Sequence, residues 1–444
     1  MKKGIKSLLI FIVISAIFVS CKNKEKVSDS TPPFENADIV HQNMDQLTRL
    51  IIYDVFSPTV ASRIYAYTSL AAYETIRFGQ PGKYPSIIAG LKDFKPLPQP
   101  EKGKSYDFSL AATKALFTVA RKVTFSVDSF LVHENKIYGG FKNKLDDSIY
   151  QRSVSFGQKI GELILARSAT DNYPQTRGKP RFIGSEEPGK WRPTPPDYMD
   201  GVEYCWGTMK TFVLDSSSQF SAPPPPSYSK DTNSVFFKAN LEVYNIEKNL
   251  TKEQKDIARY WDDNSLVIEH SGHMMFGNKK ITPGGHWIGI TAIACKKVKA
   301  DEIKTAQAYA LTSIAVFDAF VNCWQDKYTT NVIRPVTVIS EQIDPDWMPF
   351  LQTPPFPEYP SGHSTITRAA ATILTHLFGD HFEFHDTSDL EYIGMQKTFG
   401  SFIEAADEAS ISRVYGGIHY KHSVDEGATQ GKKVGEYIIK KLNL

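Results

Sequence analysis

Apolar residues recur every three or four positions along most of the chain, the spacing that places them on one face of a helix. The pattern predicts helices over "HQNMDQLTRLIIYDVF", "SPTVASRIYAYTSLAAYETIRFG" and "SLAATKALFTVARKVTF". It continues through "DDSIYQRSVSFGQKIGELILARSATD", "TKEQKDIARYWDDN", "GGHWIGITAIACKKVK" and "ADEIKTAQAYALTSIAVFDAFVNCWQDKY". "ASISRVYGG" and "SVDEGATQGKKVGEYIIKKL" close the chain in the same style. Strand-like alternation is scarce and no internal repeat is present. The fold class that follows is all-α, a large helical bundle with long Pro-rich loops gathered at one end.

Two stretches break the pattern. Between about 171 and 230 the sequence turns to "YPQTRGKPRFIGSEEPGKWRPTPP" and "SAPPPPSYS", which are loops because proline removes donors and clashes inside a helix. The other stretch is "PPFPEYPSGHST", residues 354 to 365. Pro354, Pro355, Pro357 and Pro360 stiffen an extended approach to the helix "SGHSTITRAAATILTHLFG", with Ser361 near its N-cap. Ser361, Gly362 and His363 then sit where backbone N–H groups lack intrahelical partners and the helix dipole is positive, a place that favours a tetrahedral oxyanion.

Composition narrows the reading. Apolar residues make up 41%, enough for a real interior. With 51 Lys+Arg against 49 Asp+Glu the net charge is +2, so no polyelectrolyte face argues for nucleic acid. Cys205, Cys295 and Cys323 are far apart and imply neither a disulfide framework nor a cysteine metal site. His270, His273 and His286 lack the H-E-x-x-H arrangement, and no acidic or thiol set completes four ligands, so no zinc is expected there. There is also no heptad or exposed apolar stripe that would set an oligomeric state.

The first residues, "MKKGIKSLLIFIVISAIFVSC", carry Lys2, Lys3 and Lys6 before an apolar run from Ser7 to Val19 that is short for a membrane span. "FVSC" resembles a bacterial lipobox with Phe18 at the usual Leu position, which makes Cys21 the lipidated first residue of the mature protein. The expected organisation is a lipoprotein signal over 1–21, a polar tether over 22–33 and a single α-helical domain over 34–444, held at the bacterial envelope (periplasm or outer membrane) through a lipid anchor only.

Three fragments then fall in order: "WQDKYTTNVIRPVT" with Lys327 and Arg334, "YPSGH", and "SRVYGGIHYKH" with Arg413 and His419. This K-x6-RP, PSGH, SR-x5-H series, contained in residues 324–425, resembles the type 2 phosphatidic acid phosphatase and vanadium-dependent haloperoxidase superfamily. The resemblance is strongest from about 180 to 435. One position departs from it. Phosphatase members carry an aspartate four residues after the last histidine to orient it, and here that position is Ser423, with Asp425 two further on.

The resemblance implies a cradle in which Lys327, Arg334 and Arg413 offer cationic donors, Ser361 a hydroxyl and Gly362 a backbone amide. His419 would bond the central atom, and His363 would act as acid and base. Asp262 or Asp263 in "RYWDDN" could hold the arginines before an anion binds. With vanadate as cofactor the expected partners are hydrogen peroxide and a halide, the product being hypohalous acid. Trp324 and Phe356 match positions lining the halide approach, and "KWRPTPP" and "PGGHW" are similar to segments of bacterial haloperoxidases. The chain is most similar to flavobacterial iodoperoxidases, which implies iodide before bromide. The alternative is a periplasmic acid phosphatase working through a phosphohistidine on His419. A bilayer-embedded lipid phosphatase would need apolar spans that do not follow the signal. A third reading, an envelope lipoprotein that only binds an oxyanion or a partner through its Pro-rich loops, is disfavoured because pure binding needs no His363 and His419 pair.

Overall fold

Helices dominate the computed structural model, which describes residues 37–271 and 274–444, and for 266–271 and 274–278 the backbone alone. The signal, Cys21 and the tether lie outside the described residues, as does His273. Among the described residues there are fifteen α-helices. The N-terminal set is α1 (Asp38–Tyr53), α2 (Pro58–Ile76), α3 (Phe108–Val123), α4 (Asp128–Lys142), α5 (Asp147–Ser168) and the short α6 (Tyr173–Arg177). After the Pro-rich segment come α7 (Val235–Lys248), α8 (Lys252–Tyr260), α9 (Pro283–Lys297), α10 (Glu302–Thr330) and α11 (Pro335–Gln342). The C-terminal set is α12 (Gly362–Phe378), α13 (Leu390–Ile393), α14 (Phe402–Tyr415) and α15 (Lys421–Leu442). None of these helices is long and apolar enough to cross a membrane.

The strongest apolar periodicities became the centre. Every residue of α2 from Thr59 to Ile76 is buried, as is nearly all of α10, and a helix buried on all sides must lie inside the bundle. α2 packs against α3 and α10, α3 against α5, and α10 against α9 and α12. α12 packs in turn against α14 and α15. The α12–α15 contact is close because small residues face it. A Cβ at Gly431 would lie 2.0 Å from the Thr365 carbonyl oxygen, and one at Gly427 would lie 2.6 Å from that of Ser361. Glycine there lets α15 press on the first turn of α12, and the Ser361 N–H donates to the Ser423 carbonyl at 3.0 Å.

α4 and α7 go beyond the periodic segments read from sequence, and both bury only a narrow stripe. α4 buries Phe130, Glu134, Ile137 and Phe141 and contains Gly139–Gly140, while α7 buries Phe236, Asn240 and Val243. The little β structure consists of two antiparallel hairpins, β1 (Leu266–Ser271) with β2 (Met274–Lys279) and β3 (Phe384–Asp386) with β4 (Lys397–Phe399).

Candidate oxyanion site

Three segments distant in sequence meet in the bundle. α10 delivers Trp324 and Lys327 in its last turns and stops at Asn331, whose left-handed backbone (φ 52°, ψ 45°) returns its N–H to the Lys327 carbonyl. The chain then reaches Arg334, which caps α11 ahead of Pro335. Ser361 is the N-cap of α12, as its sequence context predicts, and accepts the Ser364 N–H. Arg413 lies in the last turn of α14, and a turn through Gly416 and Gly417 brings His419 in just before α15. Gly417 has φ +74°, and a Cβ there would also approach Pro349 Cβ to 3.0 Å. That turn requires glycine.

The side chains leave a convergent set of unused donors. Arg334 donates from Nε to Phe356 O (2.9 Å) and from Nη1 to Ile418 O (2.7 Å), and Nη1 also approaches His419 Nε2 at 3.3 Å. Its Nη2 is buried without a partner among the described residues. Arg413 donates from Nη1 to Trp261 O at 2.6 Å while its Nε has no such partner. The Ser361 hydroxyl accepts from Ser364 Oγ at 3.0 Å, so its own proton stays uncommitted. Lys327 differs. Its ammonium donates to the carbonyls of Pro357 (2.9 Å), Glu358 (2.9 Å) and Pro360 (2.6 Å), so to serve an anion it must exchange one of these bonds.

All three cations are buried, at 0%, 0% and 1% exposure for Lys327, Arg334 and Arg413. Desolvation and mutual repulsion penalise that charge. Burial pushes Lys327 down to about 7 and Arg334 down to about 10, with Arg413 among the groups repelling Arg334. Burial also lowers Arg413, against the pull of Asp262 and Asp263. His419 is held well below the ordinary histidine range, by burial first and then by Arg334, Lys327 and Arg413. The ring is therefore neutral at physiological pH, and Arg334 N–H points at its Nε2 lone pair.

The group that orients His419 is Glu358, which sequence reasoning missed. Glu358 Oε1 lies 2.7 Å from His419 Nδ1 and accepts the Tyr420 N–H at 3.1 Å, while Oε2 accepts Ser423 Oγ at 2.6 Å. Ser423, found where phosphatase members have aspartate, thus holds the carboxylate that holds the histidine. Asp425 is elsewhere, ion-paired with Lys421 on the surface. The available signal was a lone carboxylate inside "PPFPEYPSGH".

His363 faces a cavity of about 210 Å³ together with Phe356, Arg413, Asp262 and Asp263. Its Nε2 has no partner among the described residues, and burial followed by Arg413 and His286 keeps its pKa well below the ordinary value. Phe356 lines the cavity; Trp324 lies behind it, 2% exposed, with ring centroids 5.0 Å apart. Lys327 Nζ is 5.2 Å from the Phe356 ring centroid. Thr194, Pro195 and Pro196 of "KWRPTPP" supply further wall. Asp262 and Asp263 do not bond the arginines directly. Asp262 pairs with Lys280 (2.9 Å), Asp263 approaches His286 (3.0 Å), and the backbone of Trp261 takes Arg413 instead.

Buried cations with spare donors around a neutral imidazole define an oxyanion-binding protein, and the set suits vanadate: two guanidinium edges, a hydroxyl, a helix N-terminus and His419 Nε2, which only Arg334 Nη1 approaches, at 3.3 Å. Comparison with known proteins narrows that class. Residues 307–443 match the family described as VCPO second helical-bundle domain. The crystal structure of the first bacterial vanadium-dependent iodoperoxidase aligns with a TM-score of 0.85 and 40% identity, over 91% of this chain and 96% of that one. Holo and apo structures of bacterial vanadium-dependent chloroperoxidase share the fold at 17% and 15% identity, with TM-scores of 0.66 and 0.65. They align over 88% and 87% of this chain and 93% and 94% of theirs. No curated protein matches. The chain belongs to the vanadium-dependent haloperoxidase family.

Proposed function

We propose that the protein uses vanadate and hydrogen peroxide to oxidise halide, iodide foremost and bromide second, to hypohalous acid. For iodide the balance is I⁻ + H₂O₂ + H⁺ → HOI + H₂O. The observation that carries this reading is the buried cationic cradle with unpartnered Arg334 Nη2 and Arg413 Nε around His419 Nε2, in a chain 40% identical to an iodoperoxidase. Bound vanadate supplies a Lewis-acidic centre that activates peroxide toward a halide.

The chain's own residues do the rest. His419 would hold the vanadium through Nε2, with Glu358 keeping the proton on Nδ1. Arg334, Arg413, the Ser361 hydroxyl and the Gly362 amide would take the oxygens, and Lys327 would join by giving up a loop carbonyl. His363, unprotonated at neutral pH, would receive the peroxide proton at Nε2 and return it to the departing water. Phe356, backed by Trp324, gives a large polarizable halide a weakly solvating wall.

The test is triiodide formation from iodide and peroxide after orthovanadate is added to protein stripped of metal and phosphate, with bromide and chloride in parallel. Vanadate-dependent turnover fastest with iodide is expected. Release of phosphate from a chromogenic monoester that vanadate abolishes, without halide oxidation, would mean a phosphohistidine enzyme instead. The N-terminal sequence supports a further part of the reading: cleavage before Cys21, lipidation of its thiol and tethering to the bacterial envelope. Cys21→Ser should then move the protein from the detergent phase to the aqueous phase.

A further inference from the structure

The 261–263 segment that holds Arg413 also contacts a second buried polar cluster that the reaction does not use. His286, in the first turn of α9, is fully buried, its Nδ1 lying 3.0 Å from Asp263 Oδ1 and 3.5 Å from Asp389 Oδ2. Its Nε2 lies 2.9 Å from Asp386 Oδ2, and Asp386 is fixed by the Ser388 N–H at 2.9 Å. Trp261 stacks on the ring at 4.5 Å. Asp263 and Asp389 are 3% and 2% exposed, yet Asp263 Oδ2 and Asp389 Oδ1 have no hydrogen-bond partner among the described residues.

We propose that Asp263, His286 and Asp389 form a divalent cation site suited to zinc, with Asp386 orienting the histidine from behind. Ligand atoms from the three lie within 4.8 Å of one another. Neighbouring ligands of a tetrahedral zinc, each about 2.0 Å from the ion, stand about 3.3 Å apart, which the observed 3.0 and 3.5 Å bracket. The alternative occupant is a proton on Nδ1. It satisfies Asp263 Oδ1 and leaves Asp263 Oδ2 and Asp389 Oδ1 buried without partners among the described residues. A dication in the proton's place faces both carboxylates while Nε2–H still donates to Asp386, the carboxylate–histidine–metal arrangement that fixes ring and tautomer.

Ligand chemistry selects the ion. Calcium takes oxygen ligands, so the imidazole nitrogen argues against it. Zinc has no redox chemistry, which suits a site whose Asp263 lines the same cavity as His363, where peroxide would enter. The ion would pin a backbone that needs pinning. Asp263 adopts φ 44°, and the Trp261 carbonyl two residues before it holds Arg413.

The experiment uses the full chain in mild detergent, dialysed against chelator, titrated with zinc chloride and desalted before metal analysis. One retained equivalent of zinc and a rise of several degrees in Tm are expected. Asp263→Asn and Asp389→Asn should each lose both, while His419→Ala should keep them, excluding His419 as the ligand. Asp389→Asn removes one of three carboxylates crowded on a single imidazole, so its metal-free form should fold. No retained zinc, retention undiminished in both Asn variants, or an equal Tm rise with calcium would overturn the proposal.

Discussion

Two buried polar clusters touch the Trp261–Asp263 segment, and they carry opposite excess charge. The cradle gathers Lys327, Arg334 and Arg413 around His419, whose ring is held by a single carboxylate, Glu358, while the second cluster gathers Asp263, Asp386 and Asp389 around one imidazole, His286. Burial is equally complete in both. What differs is the sign left over, and therefore the ligand each fits: an oxyanion in one, a cation in the other. Trp261 joins them, its carbonyl accepting from Arg413 and its ring covering His286.

The largest break in this comparison should come from His419→Ala, which removes the atom that would hold the vanadium and leaves the cations in place. Vanadate-dependent triiodide formation should fall by about 10³-fold or more. Equilibrium dialysis with vanadate should show the binding lost as well. Turnover surviving within tenfold would mean that another residue holds the cofactor.

A smaller effect is expected one step outward. Glu358→Ala frees the Nδ1 proton of His419 and should weaken vanadate affinity by roughly 10–100-fold, read from activity against vanadate concentration. Ser423→Ala should cost less, since Tyr420 N–H still holds one Glu358 oxygen. If Ser423 acts only through Glu358, its substitution should cost nothing further in the Glu358→Ala background.

The two clusters also differ in how far the sequence revealed them. The cradle was legible because its residues sit in short spaced fragments on helix ends, and a K-x6-RP, PSGH, SR-x5-H series survives in one dimension. Glu358 was in plain sight, but its role depends on a loop folding back to meet His419 and Ser423, 61 and 65 positions further on. The second cluster was not legible at all. Asp386 and Asp389 come from a short strand and a loop about a hundred residues beyond His286, with no pattern linking them. For the fold, α2 and α10 announced themselves by dense apolar periodicity, whereas α7 buries three side chains and follows a proline run. The central helices have strong patterns because they are buried all round, and helices that cover an edge need only a stripe.

The finest discrimination between the clusters is their response to pH in protein without added metal. Burial, with Asp263 and Asp386 adding to it, pushes Asp389 up to about 7, against His286 and Lys280, which pull it down. A carboxyl whose folded pKa lies above its unfolded value contributes stability that is complete below the unfolded pKa and is lost as pH rises through the folded one. Stability should therefore decline between about pH 4 and 7 by on the order of 2–4 kcal/mol from this group. Lys327, pushed down to about 7 from the lysine range, slopes the other way: its contribution is lost as pH falls from about 10 toward 7. Asp389→Asn should make the decline from pH 5 to 7 shallower than in the wild type, with buried Glu302, pushed up to about 8, keeping part of it, and should leave the alkaline limb intact, as measured by denaturant midpoints at pH 5, 7 and 9. A pH 5 to 7 slope identical in chelated wild type and Asp389→Asn would show that Asp389 is not crowded by its neighbours, and that the second cluster carries no unmatched negative charge for a cation to fill.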